Sequence, residues 1–136
     1  MRNLESEADF STWVEDLLAR FGFTVAHFHA GMTSRTYTNK KGETRSVWVT
    51  PVSCDGKGFY DYVAVKVPRF LLIELKSEDG TVTPEQQHWL DMGAQIEVVE
   101  TYLWRPSDRP EIEQIILLGH VPNLIERAEF KSSWRR

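Results

Sequence analysis

The sequence predicts a single α/β domain in which a mixed central sheet is flanked by helices. Three observations carry that prediction. A chain of 136 residues, 41% apolar and 26% charged, has the material for one hydrophobic core and little room for a second. Helical periodicity appears near both ends and once in between, and the intervening segments are short β-branched runs. In order the pattern reads helix, four strands, helix, strand, helix, which is an α/β alternation. Residues 1–136 are therefore read as one domain, with a core over about 5–118 and a C-terminal tail over 119–136.

Phe10, Trp13, Val14, Leu17, Leu18 and Phe21 recur at helical spacing and Gly22 follows, so an amphipathic helix is expected over 5–21. Phe23 to His29 alternates as a short strand does. Gly31 to Glu43 is polar with two glycines, which predicts a mobile basic loop or a hairpin. Val47 to Val52 is the next strand, and Asp55-Gly56-Lys57-Gly58 reads as a turn. Two apolar runs, Asp61 to Val67 and Phe70 to Lys76, flank Pro68-Arg69 and predict a tight antiparallel hairpin. With only those two residues in the loop, Val67 faces Phe70, Val65 faces Leu72, Val63 faces Glu74 and Asp61 faces Lys76, all on one face. Thr83-Pro84-Glu85-Gln86 then opens a helix with a capping box, which Gly93 is expected to close. Gln95 to Trp104 alternates as a strand. Ser107 or Asp108 caps a last helix to about Leu118, with Gly119 as its stop and a short further helix expected within 122–136.

Sixteen basic against twenty acidic side chains give a net charge of −4, which argues against a protein that simply coats nucleic acid. The charge is unevenly spread. Residues 31–70 hold seven basic and three acidic side chains, whereas 71–104 hold one basic and seven acidic. The single cysteine, Cys54, cannot form an internal disulfide, so a reducing cytoplasm is the expected compartment. The first residues contain no apolar signal region, and the longest apolar runs fall far short of the roughly 20 residues that cross a bilayer, so no membrane partner is expected.

Chemistry concentrates at the open end of the hairpin. A half-buried strand face tolerates carboxylates badly, since an unpaired one loses solvation worth several kcal/mol. Asp61 and Glu74 there supply oxygen ligands for a hard divalent cation such as Mg²⁺, and Lys76, on the same face as Glu74, can position a water or balance phosphate charge. The plain alternative is a surface salt bridge between Lys76 and either acid. Glu7 lies on the apolar stripe of the first helix; it is either drawn to a buried site or is a favourable first-turn acid. Gln86 is explained by the capping box alone, yet its side chain has the means to serve a site as well. His27 and His29 share a strand face but have no third ligand close in sequence. Glu78 and Asp79 fit a solvated loop, Trp13 and Trp89 fit the core, and Cys54 has no partner pattern of a nucleophile.

Three blocks carry a resemblance: Gly58-Phe59-Tyr60-Asp61, Leu72-Ile73-Glu74-Leu75-Lys76, and Thr83-Pro84-Glu85-Gln86-Gln87-His88-Trp89-Leu90. Their order and spacing resemble the VRR-NUC branch of the PD-(D/E)xK nuclease superfamily, whose members show a Gly-x-Pro-Asp turn, a hydrophobic strand ending in Glu-x-Lys, and a helix with Gln three residues before Trp. The strand Val98 to Trp104 followed by Arg105-Pro106-Ser107-Asp108 is similar too, and the likeness spans about 5–118. Short stand-alone members of this kind are frequent in bacteriophages and prophages, which makes a bacterial or phage-infected cell the expected setting. Tyr60 departs from the pattern, standing where the family usually has proline.

The resemblance implies a restriction-endonuclease-like core and metal-dependent hydrolysis of DNA phosphodiesters. Asp61, Glu74 and the backbone carbonyl of Leu75 would hold Mg²⁺, for which Mn²⁺ is expected to substitute. Lys76 would be the catalytic lysine, Gln86 the helical glutamine that shapes the site, and Glu7 an N-terminal acid near the metal. Relatives of this type suggest branched substrates, four-way junctions or flaps, cut by a homodimer whose two sites match a symmetric junction. Backbone contacts to DNA are expected from Arg35, Lys40, Lys41, Arg45, Lys57 and Arg69 in the basic segment. The rival expectation is a catalytically silent nucleic-acid-binding module that kept the fold; a third is a component that cuts only within a complex.

Overall fold

The computed structural model describes the main chain of residues 6–28, 33–49 and 54–118, and their side chains except those of 33–37 and 45–49. Expectations for His29, for Gly31, for residues 50–52, for Gly119 as a helix stop and for the tail lie outside the described residues. Helix α1, Glu7–Arg20, begins where Ser6 Oγ accepts a hydrogen bond from Asp9 N at 3.1 Å, with Glu7 and Asp9 in the first turn and Arg20 in the last, each favourable to the helix dipole. It ends at Gly22, whose φ of +83° suits glycine, while Phe23 N reaches back to Leu18 O at 3.0 Å. Its stripe of Phe10, Val14 and Leu18 is fully buried. By area alone each such side chain contributes about 1.5–3 kcal/mol.

Strands β1 (Thr24–His27), β4 (Tyr62–Lys66), β5 (Arg69–Leu75) and β6 (Glu100–Trp104) form a mixed sheet in the order β1-β4-β5-β6. The first two pairings are antiparallel and β5 runs parallel to β6. Helix α1 and helix α3, Arg109–Leu117, cover one face, packing on Tyr62, Ala64, Leu71, Ile73, Leu75, Tyr102 and Trp104. Helix α2, Pro84–Ala94, covers part of the other through a smaller cluster of Tyr60, Leu90 and Leu103. The domain is thus a mixed α/β sheet flanked by helices.

The segment read as a loop or hairpin contains strand β2, Thr33–Thr38, paired antiparallel with β3, Thr44–Val49, as a separate two-stranded sheet. One strand more than expected results. Asn39 closes the turn: its Oδ1 accepts from Lys41 N and Glu43 N at 2.9 and 3.0 Å. This is the local Asx geometry that makes asparagine a turn residue.

Three other expectations need correction. The β4–β5 turn holds Val67-Pro68 rather than Pro68-Arg69, so Val65 pairs with Phe70 and Val63 with Leu72. The reason is Arg69, which must lie within the strand to bury its guanidinium against Glu100, leaving Val67 89% exposed at the tip. Gly93 does not close α2, which runs on to Ala94; a Cβ there would lie 2.4 Å from Thr101 Oγ1 and 2.5 Å from the Tyr60 hydroxyl, so glycine is present for close approach. Strand β6 is five residues long rather than ten and is buried throughout, because helices cover both of its faces. The last helix is preceded by a 3₁₀ turn over Pro106–Asp108, in which Asp108 Oδ2 accepts from Arg105 N at 2.9 Å.

Candidate functional site

The corrected hairpin register has a chemical consequence. Because Tyr62 pairs with Ile73, continuing the ladder by one residue sets Asp61 opposite Glu74 rather than Lys76. Asp61 sits at the end of β4, and its Oδ2 accepts from Leu75 N at 2.8 Å. Glu74, one residue before the end of β5, has a side chain only 3% exposed. Lys76 follows on the same face, its Nζ 3.9 Å from Glu74 Oε1, with its backbone N–H donating to Trp104 O at 3.0 Å and so extending the pairing with β6.

Gln86 has two roles at once. Its Oε1 accepts from Thr83 N at 2.9 Å while Thr83 Oγ1 accepts from Gln86 N, the reciprocal capping box. Its Nε2 donates to Glu74 Oε1 at 2.9 Å. The start of α2 is therefore fixed to a site carboxylate. Glu7 is an exposed residue of the first α1 turn, and its negative charge acts on both carboxylates. Sequence reasoning thus brings Asp61, Glu74, Lys76 and Gln86 into one cluster, with Glu7 at its margin.

Electrostatics leave the pair unsatisfied. Burial, then the Asp61 charge beside it, raises the Glu74 carboxyl to about 8, with Lys76 opposing the shift. Burial also raises Asp61, against the stabilising Leu75 N–H, with Glu7 raising and Lys76 lowering it further. The two shifts depend on each other, the Asp61 charge raising Glu74 while the Glu74 carboxyl lowers Asp61. Glu74 is buried and Asp61 half-buried, and with both ionised they face one ammonium and are short of positive charge. Among the described residues no group of three or more His, Cys, Asp or Glu side chains is arranged to hold a metal ion. The donor set here is a carboxylate pair, and a hard cation such as Mg²⁺ fits it, since that ion is commonly held by one or two carboxylates and retains several waters.

The supporting residues include some that the sequence reading missed. Arg105 Nη1 donates to the carbonyls of Ser77 and Gly80, both at 2.7 Å, and of Glu78 at 3.2 Å, clasping the loop that follows Lys76. Glu78 accepts from Ser107 N in the 3₁₀ turn while half-exposed, and Asp79 is exposed. Tyr60 is 2% exposed, and burial pushes its phenol up to about 12. No short-range pattern flags Arg105, since its partners lie 25 to 28 residues away.

The expected DNA contacts separate into classes. Lys40 and Lys41 are exposed on the β2–β3 turn. Lys57 has a side chain 81% exposed and lies 3.4 Å from Glu85 Oε1. Arg35 and Arg45 lie on β2 and β3, opposite Val47 and Tyr37, with side chains outside the described residues. Arg69 is corrected: it is 1% exposed, with Nε and Nη2 donating to Glu100 at 2.9 and 2.7 Å and the guanidinium over the Phe23 ring, so it is not available to a phosphate backbone. His27 Nδ1 is 2.9 Å from Glu15 Oε1, and its ring stacks on Tyr62 with centroids 4.1 Å apart.

No protein-family model, no curated protein and no solved structure matches the chain.

Proposed function

We propose that this chain is a divalent-metal-dependent DNA endonuclease with a restriction-endonuclease-like core, of the VRR-NUC type. The observation that carries the reading is the opposed pair of half-buried Asp61 and buried Glu74, with Lys76 Nζ 3.9 Å from Glu74 and Gln86 bound to the same carboxylate. Asp61, Glu74 and the Leu75 carbonyl would hold Mg²⁺ or Mn²⁺, with Glu7 at the margin. Such an ion, when bound, supplies charge stabilisation at a phosphate and acidifies water.

The chain's own groups do the remainder. Gln86 Nε2 holds Glu74 in one orientation, and Leu75 N holds Asp61, so neither carboxylate has to reorganise when a substrate arrives. Lys76, tethered by the strand and by the Arg105-clasped loop, donates to a water or to a non-bridging phosphate oxygen beside the carboxylates. The exposed Lys40 and Lys41, with Lys57 and the arginines of β2 and β3, would follow the DNA backbone without reading bases. Branched DNA, cut by a homodimer in the cytoplasm of a bacterial or phage-infected cell, is the substrate and setting we propose. Among the described residues no helix is long and apolar enough to cross a membrane.

The test is incubation with labelled linear, flap and four-way-junction DNA in Mg²⁺, in Mn²⁺ and in EDTA. Metal-dependent cleavage of a branched substrate is expected, lost by a factor of about 10³ or more in Asp61→Ala, Glu74→Ala and Lys76→Ala while DNA binding survives. Variants that cut as well as the parent would show that the site is wrong; binding without cleavage by the parent would favour the silent module.

A further inference from the structure

We infer that Tyr60 is a positioning residue for the carboxylate pair, acting through a hydrogen bond that fixes the Asp61 segment to helix α2; the inference rests on the metal-site reading proposed above. The segment from Asp55 to Asp61 lies along α2 and is attached to it at successive points. Trp89 Nε1 donates to the carbonyls of Asp55 and Lys57 at 3.3 and 3.2 Å. Gly58, with φ of +81°, approaches so closely that a Cβ would be 2.7 Å from Gln86 N and from the Glu85 main chain. Phe59 sets its ring edge-on to Trp89 at 4.9 Å. The last attachment is Tyr60, whose hydroxyl donates to Trp89 O at 2.7 Å. Among the polar ties to α2 it is the one nearest in sequence to Asp61, whose own carboxylate and carbonyl accept from Leu75 N and Phe28 N within the sheet.

The same helix carries Gln86, which holds Glu74. Asp61 is thus located from α2 through Tyr60, and Glu74 from α2 through Gln86. The β4–β5 pairing and the Leu75 N–H set the two acids opposite each other, and the helix braces that arrangement from both sides. The space that Tyr60 needs is provided deliberately: Gly93, one turn after Trp89, is the residue whose side chain would strike the phenol oxygen. A proline before the aspartate would stiffen the backbone locally. Tyr60 achieves a comparable constraint by tertiary anchorage, with its ring 2% exposed in the α2 cluster beside Leu90 and Leu103.

Tyr60→Phe tests this, because it keeps the ring and removes only the hydroxyl. Leu90→Ala serves as the control: it damages the same cluster and leaves the hydrogen bond to Trp89 O in place. Mn²⁺ affinity is measured on the folded proteins by calorimetry and by electron paramagnetic resonance, without DNA, alongside thermal unfolding in EDTA. Supporting groups of this kind are worth about 10- to 100-fold in metal affinity. The expected result is a loss of about tenfold in Tyr60→Phe, with at most about twofold in Leu90→Ala despite its larger fall in Tm. Equal Mn²⁺ affinity in Tyr60→Phe and parent overturns the positioning role and leaves the metal site standing. A parent that binds no Mn²⁺ overturns the metal site and the positioning role together. Should Tyr60→Phe fail to unfold cooperatively, Gly93→Ala, which displaces the phenol from the other side, takes its place; loss of fold in both overturns the inference and makes Tyr60 a core residue only.

Discussion

Glu74→Gln replaces a buried ionisable carboxyl by a neutral amide while keeping the shape of the side chain and an oxygen for Gln86 Nε2. Its effect on stability without metal follows from the electrostatics of the pair. Burial and the neighbouring Asp61 raise Glu74 from 4.5 to about 8, so the folded state holds a proton that the unfolded chain releases above pH 4.5. The sign is that of a raised acid: stability is fully present below the unfolded value and is lost as pH rises towards about 8. The limiting slope is about 1.4 kcal/mol per pH unit. Between pH 6 and pH 8 the parent should therefore lose about 2 to 3 kcal/mol in EDTA, or about 6 to 12 °C in Tm for a domain of this size. Glu74→Gln has no such proton to lose and should exceed the parent in Tm at pH 8. The difference between the two profiles cancels the contributions of distant groups. Adding Mg²⁺ at pH 8 should recover stability in the parent more than in the variant. The assay is thermal unfolding followed by circular dichroism over this pH range. Parallel profiles for parent and variant in EDTA, or a variant less stable than the parent at pH 8, would refute the reasoning.

Arg69→Ala leaves Glu100 buried without its partner and should cost about 3–5 kcal/mol in urea unfolding, whereas Arg69→Met, which packs the same space, should cost more than the double variant Arg69→Met with Glu100→Leu. A normal urea midpoint for Arg69→Ala would sink the structural role. Gly58→Ala combines positive φ with contacts of 2.7 Å to the first turn of α2 and should lose about 1–3 kcal/mol, read by the same method. Lys40→Ala with Lys41→Ala should weaken DNA binding and reduce the slope of log K against log salt by up to about 1.8, with the cleavage rate at saturation unchanged; an unaltered slope removes that turn from the DNA path.

What the sequence made legible depended on the range of the interaction. Periodicity and caps are local, so the first helix, expected over 5–21 and found at Glu7–Arg20, and the capping box of Thr83 and Gln86 read correctly within a residue or two. The hairpin strands were equally clear, but their register hung on one residue. Arg69 beside a proline looks like a turn residue, and only Glu100, 31 positions on, explains why it belongs in the strand. The slip was of two residues, which preserves the face of every side chain, and so the site survived the error while its pairing changed. Asp61, Glu74, Lys76 and Gln86 were legible because they cluster around one hairpin and the helix start after it. Arg105 and the anchoring bond of Tyr60 were not, since each is a side chain bonded to backbone carbonyls, which carry no identity in the sequence.

The two faces of the sheet explain why so small a domain can keep an unfavourable charge pair. On the face under α1 and α3, Tyr62, Ala64, Leu71, Ile73 and Leu75 give a continuous apolar layer, and the buried Arg69–Glu100 pair within it is matched in charge and geometry. Residues of the opposite parity, Asp61, Leu72 and Glu74, lie under α2, where two acids have one lysine between them. Alternation along β4 and β5 therefore separates the residues that stabilise the fold from those that cost stability. A deficit of positive charge on one face is tolerable because the other face compensates, and it persists because α2 prevents the carboxylates from turning out to solvent: Gln86 holds one and the Tyr60 bond restrains the strand bearing the second. The unfavourable charge is thus confined to one place, and a cation held there as proposed would tie metal binding to stability.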